Sequence, residues 1–262
     1  MAQLLLRGAP LIAGEIEAVL FDKDGTLCHS EPRLLALARA RVEQCQRLLL
    51  ERHPQEAATM VAELAPLLEA TYGLQGNTIH PAGTTAVASR DHNLISTATA
   101  LAQLGLGWPE ALELADAVFQ QCDLPSGDGG DPCPRATDGL HQLLQQLNGA
   151  GVACAVISND DQRGIAAFLA SHNLGHCFAA LRSADHHPRK PDPAAVAALC
   201  SDLGTKPGQC ALIGDANSDL LMAERAGVAV VLGYSAGWQQ RPPLASRFPQ
   251  LAHWRELEVR SA

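Results

Sequence analysis

The sequence predicts an α/β fold in which a parallel sheet carries helices on both faces. Three stretches, residues 16–25, 152–160 and 210–219, each contain an apolar run that leads into a polar loop. Helix-like segments follow the second and third stretches, and this alternation is typical of parallel sheets covered on both faces. Residues 31–133 break the alternation and are rich in alanine and leucine. The chain is therefore predicted to form an α/β core with a mainly α-helical cap domain inserted after its first core strand.

The remaining core elements follow in chain order. Residues 1–14 are interpreted as a short hairpin ahead of the first core strand, and residues 178–185 and 228–233 as two further strands. A helix with a proline near its start is predicted over residues 192–204. Because the carboxyl ends of parallel strands meet along one edge of a sheet, we expect the functional site at that edge.

The insertion is predicted to consist of amphipathic helices. Their ranges are 33–53, 56–74, 94–106 and 108–122. Residues 125–134 have the composition of a linker. Connections of this length are rarely plain loops, so we interpret the insertion as a lid. The predicted domains are an α/β core of residues 1–30 and 134–262 and a cap domain of residues 31–133.

Composition and charge exclude several classes of protein. The 262 residues are 47% hydrophobic and 18% charged, which is typical of a globular chain. The formal net charge of −9 argues against nucleic acid as a partner, since phosphate backbones recruit basic surfaces. No apolar run approaches the ~18 residues of a membrane-spanning helix, and the start does not resemble a signal peptide. We therefore expect no membrane partner. With no signal peptide, eight scattered cysteines without a C-x-x-C pair favour a reducing cytoplasmic setting.

Two aspartates directly follow the first core strand. The stretch VLFDKDG, residues 19–25, passes from apolar residues into Asp22 and Asp24. At this spacing Asp22 can act as a nucleophile and Asp24 as acid and base, while Gly25 allows a tight turn. Taken alone, a D-x-D-G stretch is equally typical of a solvated turn.

Polar residues at the other strand ends favour the functional interpretation. Ser158 and Asn159 can hold the oxygens of a transferring phosphoryl group. Lys190 is one of three lysines, and next to the nucleophile it would lower the pKa of that carboxyl. Asp215 and Asp219 offer the hard oxygen ligands that Mg²⁺ prefers. Each residue also has an ordinary interpretation, as a strand-end cap, a solvated charge or a helix N-terminal carboxylate.

In this order, the stretches DKDGTL, SN, a lysine and GDANSD resemble the motifs of the haloacid dehalogenase superfamily of phosphotransferases. The resemblance covers residues 15–30 and 135–233, and the inserted helical cap is similar to that of phosphoglycolate phosphatase relatives. It implies a Rossmann-like core and a two-step reaction through an aspartyl-phosphate.

The resemblance also implies a role for each motif residue. Asp22 would attack phosphorus, and Asp24 would protonate the leaving oxygen and then deprotonate the hydrolytic water. Mg²⁺ would be held by Asp22, the backbone carbonyl of Asp24 and Asp215, with Asp219 supporting the metal. The residues implied to orient and neutralise the phosphoryl oxygens are Ser158, Asn159 and Lys190.

The member of the superfamily stays open. We expect a phosphatase that acts on a small phosphorylated metabolite. A sugar phosphomutase is one alternative, because Asp24 could return the phosphoryl group to a second hydroxyl. A non-catalytic phospholigand-binding module is another, although all the motif residues are present. A phosphonate hydrolase that uses a lid lysine is excluded, since no lysine lies between Lys23 and Lys190. Both a monomer and a small homo-oligomer are compatible with the sequence.

Substrate specificity is expected to reside in the insertion. Residues 79–93 are its least helix-like stretch, and Arg90 or Arg33 is the candidate to bind a carboxylate or second anionic group of the substrate. The competing interpretation is an exposed turn between helices.

The C-terminal stretch, residues 234–262, is predicted to wrap the surface and to end in a short helix. Trp238 and Trp254 are interpreted as packing residues, and no function is assigned to the stretch.

Overall fold

The computed structural model describes residues 1–54, 57–123 and 133–261. The predicted linker at 125–134 lies outside these ranges except for its last two residues. The chain divides into two compact units, one of Met1–Ser30 with Cys133–Ala262 and the other of Glu31–Pro132. No helix in the described ranges combines the length and the apolar character that crossing a bilayer requires.

The first unit contains the α/β elements and the second contains the helices of the insertion. The strands are β1 (Ala2–Leu6), β2 (Ala9–Pro10), β3 (Ala18–Phe21), β4 (Cys28–His29), β5 (Leu74–Gln75), β6 (Thr78–Ile79), β7 (Arg135–Ala136), β8 (Ala153–Ile157), β9 (Ala180–Arg182), β10 (Cys210–Gly214), β11 (Val230–Tyr234), β12 (Gln250–Leu251) and β13 (Leu257–Ser261). The α-helices are α1 (Glu31–Arg52), α2 (Ala57–Tyr72), α3 (Thr84–Val87), α4 (Arg90–Gln103), α5 (Trp108–Cys122), α6 (Leu140–Gly149), α7 (Gln162–Ser171), α8 (Pro193–Asp202) and α9 (Asn217–Arg225).

The core of the first unit is a parallel sheet of strand order β12-β11-β10-β3-β8-β9. Its central strand β3 pairs with β10 on one side and β8 on the other, so Phe21 lies opposite Ile213 and Val156. The three strands that precede the motif stretches are therefore neighbours. Their carboxyl ends bring Asp22, Ser158 and the loop after Gly214 to one edge of the sheet.

Helices cover both faces of this sheet because consecutive strand residues point to opposite sides. Val19 and Phe21 belong to the apolar cluster formed with α6 and α7. Ala18 and Leu20 belong to a second cluster formed with α8 and α9. All four strand residues are fully buried. The predicted α/β class, with a Rossmann-like parallel sheet, is confirmed.

A small antiparallel sheet of order β13-β1-β2 joins the two ends of the chain. The hairpin predicted at the start is present as β1 and β2. The stretch 234–262 ends in β13 rather than in the predicted short helix, although a 3₁₀ turn, Trp254–Glu256, lies directly before that strand. Much of the stretch lies at the surface as predicted, but Leu251, Trp254 and Leu257 are buried. The last strand, β13, forms because it pairs with the edge of β1. A pairing between segments so far apart in the chain leaves no local periodicity in the sequence.

The unit of inserted residues contains helices at the predicted places, and α1, α2, α4 and α5 pack around one apolar cluster. The stretch 79–93 is not an exposed turn. It forms α3 and the first turn of α4, and its buried polar residues include Ser89, whose hydroxyl accepts from the backbone N–H of His92 (3.3 Å). The side-chain amide of Asn93 donates to the carbonyls of Thr84 and Ser89 (3.1 Å each). Because polar side chains are buried in this stretch and cap its helices, the sequence shows no apolar stripe there.

Candidate active site

The turn after β3 presents the first two aspartates. Asp22 directly follows the strand, and its backbone N–H donates to the carbonyl of Ile213 in β10 (2.9 Å). Gly25 lies in the turn with φ of +78°, and a Cβ at this position would lie 2.2 Å from Nε1 of Trp238. The positive φ and the lack of space both require glycine here. The apolar strand thus ends in a rigid turn that fixes where Asp22 lies.

Three buried carboxylates meet at this edge of the sheet. Asp215 follows β10 and Asp219 lies in the first turn of α9. One oxygen from each of Asp22, Asp215 and Asp219 lies within 4.8 Å of the others. This donor set consists of carboxylate oxygens and fits a hard divalent cation such as Mg²⁺.

A buried lysine completes the cluster. Nζ of Lys190 lies 2.6 Å from Oδ1 of Asp22 and 2.7 Å from Oδ1 of Asp219, and it donates to the carbonyl of Ile157 (3.4 Å). The Lys190 side chain is only 4% exposed. The ammonium group pairs with two of the three carboxylates, so the four side chains in their ionised forms keep a surplus of two negative charges.

This surplus is reflected in the pKa values of the cluster. Burial raises the pKa of Asp22 to about 6, with help from Asp219 and against the lowering effect of Lys190. Burial and the charges of Asp22 and Asp219 raise the pKa of Asp215 well above its usual value. Burial alone would lower the pKa of Lys190, but Asp219 and Asp22 outweigh it and raise that pKa. Lys190 lowers the pKa of Asp22 as predicted, but desolvation is the larger effect, so the net shift of that pKa is upward.

The second motif lies at the end of β8. Ser158 is buried, its backbone N–H donates to the carbonyl of Arg182 (2.9 Å), and its hydroxyl oxygen accepts from the N–H of Asp160 (3.1 Å). The hydroxyl hydrogen of Ser158 is a donor that this contact does not use. Asn159 is half-buried beside it.

Asp24 occupies a separate position in the turn. Its Oδ1 lies 2.7 Å from Nζ of Lys23 and accepts a short hydrogen bond from the hydroxyl of Ser30. Nζ of Lys23 also lies 2.9 Å from Oδ2 of Asp160, which follows Ser158 and Asn159. The carboxylate of Asp24 is not one of the three that cluster for a metal. Its predicted contribution to the metal site is through the backbone carbonyl, and this stays a prediction.

The two candidate arginines of the insertion, Arg90 and Arg33, lie in different environments. The guanidinium of Arg90 pairs with Asp123, which also pairs with Arg41 (3.0 Å). Arg90 and Arg41 both lie over the ring of Phe119. Arg33 lies half-buried on α1. Arg90 therefore has a structural role within its own unit, and the predicted substrate contacts of Arg90 and Arg33 stay predictions.

Comparison with known proteins identifies the family. The sequence model of the haloacid dehalogenase-like hydrolases matches residues 16–227. The chain belongs to the haloacid dehalogenase-like hydrolase family. The predicted resemblance to this superfamily is confirmed, as is the prediction of a hydrolytic enzyme.

Several relatives of this hydrolase are phosphatases. A phosphoglycolate phosphatase of Pseudomonas putida is 30% identical over 89% of this chain and 74% of that protein. A phosphoglycolate phosphatase of Pseudomonas syringae pv. syringae is 29% identical over 92% of this chain and 78% of its own length. A third, from Pseudomonas fluorescens, is 36% identical, but the alignment covers only 43% of this chain and 42% of that protein.

Solved structures share the fold of this hydrolase. A predicted phosphoglycolate phosphatase from Haemophilus somnus 129pt superimposes with a TM-score of 0.64 at 19% identity, covering 93% of this chain and 96% of that chain. A haloacid dehalogenase-like hydrolase from Bacteroides fragilis gives a TM-score of 0.56 at 20% identity, with 91% and 98% covered. At these identities the likeness concerns the fold.

Sequence reasoning missed several polar residues around the hydrolase site. Lys23 and Ser30 contact Asp24, and Asp160 pairs with Lys23. Thr26 and Trp238 contact Asp215. The signal for Lys23 was present in the sequence, since a lysine between two aspartates at a strand end is costly to bury without partners. Trp238 lies on a loop without periodicity, and no local pattern pointed to it.

Proposed function

We propose that this chain is a magnesium-dependent phosphatase that hydrolyses a small phosphomonoester through an aspartyl-phosphate on Asp22. The observation that carries the proposal is the grouping of Asp22 with Asp215, Asp219 and Lys190 at the carboxyl edge of the sheet. A nucleophilic carboxylate beside carboxylates that can hold a cation, and beside a fixed ammonium group, is suited to phosphoryl transfer.

In the first step, an oxygen of Asp22 forms a bond to phosphorus and the bond from phosphorus to the ester oxygen breaks. Asp24 gives its proton to the leaving oxygen, so the alcohol departs neutral. Lys190 and the hydroxyl of Ser158 donate to the phosphoryl oxygens, and the amide of Asn159 orients the group. Lys23 and Ser30 hold the carboxylate of Asp24 in the turn.

In the second step, Asp24 takes a proton from a water molecule, and the oxygen of the resulting hydroxide attacks phosphorus. The bond between phosphorus and the oxygen of Asp22 breaks, which releases inorganic phosphate and restores the free carboxylate. Mg²⁺ bound by Asp22, Asp215 and Asp219, and by the backbone carbonyl of Asp24, would offset the negative charge that gathers there.

The relatives support a small phosphorylated metabolite as the substrate. Since several are named phosphoglycolate phosphatase, we propose 2-phosphoglycolate as the first candidate. The insertion, residues 31–133, is proposed to act as a lid, and the strands that flank it in the sequence, β4 and β7, pair with each other in the core unit. We further propose a cytoplasmic setting, and a monomer or small homo-oligomer as the assembly.

A panel assay tests the proposed function. We expect Mg²⁺-dependent phosphate release from at least one small phosphomonoester, with kcat of about 1 s⁻¹ or more, and loss of release when EDTA removes the cation. The panel contains phosphorylated metabolites and an aryl phosphate, and the Asp22→Asn variant is the control. The substrate with the highest kcat/KM identifies the substrate class. If no phosphate is released, transfer to sugar acceptors is measured, and silence in both assays would leave only the binding-module alternative.

Replacing Arg90 by alanine tests whether the insertion contributes to specificity. If its guanidinium binds a second anionic group, KM should rise roughly tenfold for a substrate carrying a carboxylate and stay unchanged for an aryl phosphate. Arg33→Ala is measured in parallel.

The matched control is Asp123→Ala, which removes the structural partner of Arg90 but keeps the guanidinium. A purely structural Arg90 predicts that the Arg90 and Asp123 variants lower the melting temperature together and change both KM values alike. That result would remove Arg90 from the substrate-binding set.

A further inference from the structure

Trp238, which follows β11 in the C-terminal segment, lies inside the candidate site. Its indole Nε1 donates to Oδ2 of Asp215 at 2.6 Å, and the side chain is only 6% exposed. An N–H donor at this distance from a carboxylate makes a charge-assisted hydrogen bond. Trp238 therefore does more than fill space.

Both oxygens of the Asp215 carboxylate accept a hydrogen bond. Thr26, in the turn after β3, donates from its hydroxyl to Oδ1 of Asp215 at 3.0 Å, and Thr26 is fully buried. Two donors on different oxygens fix the rotation of the carboxylate plane. Each oxygen keeps a lone pair beyond the hydrogen bond that it accepts, so a metal ion can still be bound.

The indole is locked in place by glycines. A Cβ on Gly25 would lie 2.2 Å from Nε1 of Trp238 and 2.5 Å from Oδ2 of Asp215. A Cβ on Gly237 would lie 1.7 Å from the carbonyl oxygen of Gly25. Nδ1 of His29 lies 3.3 Å from the carbonyl oxygen of Gly237. The segment around Trp238 thus packs directly on the turn that carries the nucleophile.

We propose that Trp238 is a positioning residue that orients the Asp215 carboxylate for divalent cation binding. The inference rests on the proposed function, because it assigns the metal to the Asp22, Asp215 and Asp219 cluster. Mg²⁺ demands near-ideal octahedral geometry, so a carboxylate free to rotate binds it more weakly. Residues that orient metal ligands typically contribute 10–100-fold to metal affinity or activity.

The test compares two tryptophan variants of the full chain. Trp238→Phe keeps an aromatic ring but removes the N–H donor. The matched control is Trp254→Phe, because Trp254 is also buried and donates from Nε1, but to the hydroxyl of Thr137 (2.7 Å). Mg²⁺ affinity is measured by isothermal titration calorimetry without substrate, and kcat and KM are measured as functions of Mg²⁺ concentration.

We expect Trp238→Phe to raise the Kd for Mg²⁺ by about 10-fold or more, and high Mg²⁺ to restore most of kcat with little change in substrate KM. Trp254→Phe should lower the melting temperature but leave the Mg²⁺ affinity at the wild-type value. Equal Mg²⁺ affinity in wild type and Trp238→Phe, with phosphate release intact in both, overturns this inference alone. A wild-type chain that binds no Mg²⁺ overturns the proposed function as well.

A second measurement does not depend on the folding of the Trp238 variant. Since the chain has three tryptophans, the variant Trp108→Phe/Trp254→Phe keeps only Trp238. Its fluorescence should change on Mg²⁺ addition with the midpoint found by calorimetry, because the indole donates to a carboxylate of the metal cluster. An emission spectrum that is unchanged at saturating Mg²⁺ contradicts the inference.

Discussion

Asp22→Asn should abolish phosphate release, with kcat reduced by a factor of about 10⁴ or more. The amide oxygen of asparagine is a poor nucleophile, so no aspartyl-phosphate can form and no other carboxylate takes its position in the turn after β3. The variant keeps the size of the side chain and removes one carboxylate oxygen from the cluster with Asp215 and Asp219. The measurement is single-turnover phosphate release at saturating Mg²⁺.

A matched control separates the nucleophile from the rest of the site. Asp24→Asn should slow the reaction but still allow transfer to Asp22 from an aryl phosphate, whose leaving group needs little protonation. Phosphoenzyme should then accumulate in this variant and be absent from Asp22→Asn. Residual activity of Asp22→Asn within tenfold of wild type would contradict the covalent mechanism.

The Asp22→Asn variant should also be more stable than wild type in the absence of divalent cations at neutral pH. Burial and neighbouring carboxylates raise the pKa of Asp22 to about 6 from an ordinary value of 3.8. The folded chain therefore binds a proton more tightly than the unfolded chain, so the stability that this group provides is present below about pH 4 and is lost as the pH rises through about 6. Asparagine does not titrate, so the variant avoids this loss of folding stability, which is on the order of 2–3 kcal/mol.

Thermal unfolding in EDTA between pH 4 and pH 7.5 checks whether the stability difference between Asp22→Asn and wild type has the expected direction. The melting temperature of Asp22→Asn should exceed that of wild type at the upper end of the range and approach it at the lower end. Added Mg²⁺ should stabilise wild type more than the variant, because the variant lacks one ligand. A variant that is less stable than wild type at pH 7.5 in EDTA would show that the ion pair with Lys190 outweighs desolvation of Asp22.

Local patterns predicted the residues that stand at strand ends. Asp22, Ser158 and Asp215 each follow an apolar run long enough to form a buried strand, and parallel pairing then brings them together. Lys190 was found because lysine is scarce in this chain and because the family resemblance assigned it a role. For these residues the order of the motifs carried enough information.

Contacts between distant loops were not predicted from local patterns. Trp238 reaches Asp215 from the loop after β11, and Lys23 reaches Asp160 from another strand end. Neither contact leaves a period or spacing in the sequence, since loop geometry and tertiary packing determine both. The lowering effect of Lys190 on the pKa of Asp22 was predicted, but the larger upward effect of burial was not, because burial depends on everything packed around the group.

Lys190→Met should destabilise the metal-free chain by about 3–5 kcal/mol and lower kcat by a factor of about 10² or more. Methionine matches the length of lysine but removes the ammonium that lies 2.6 Å from Asp22 and 2.7 Å from Asp219. Asp22, Asp215 and Asp219 would then repel one another in a buried position without the cation that now pairs with two of them. Chemical denaturation in EDTA measures the loss of stability.

Lys206→Met is the matched control because Lys206 is exposed, and it should leave stability and kcat near the wild-type values. The double variant Asp22→Asn/Lys190→Met should recover part of the stability that Lys190→Met loses, since one of the repelling carboxylates is gone. Saturating Mg²⁺ should also recover stability, because a divalent cation replaces the missing charge, but it should not restore kcat, since the ammonium also donates to the phosphoryl group. A Lys190→Met chain that keeps its stability and loses only kcat would assign the lysine to the substrate rather than to the carboxylates.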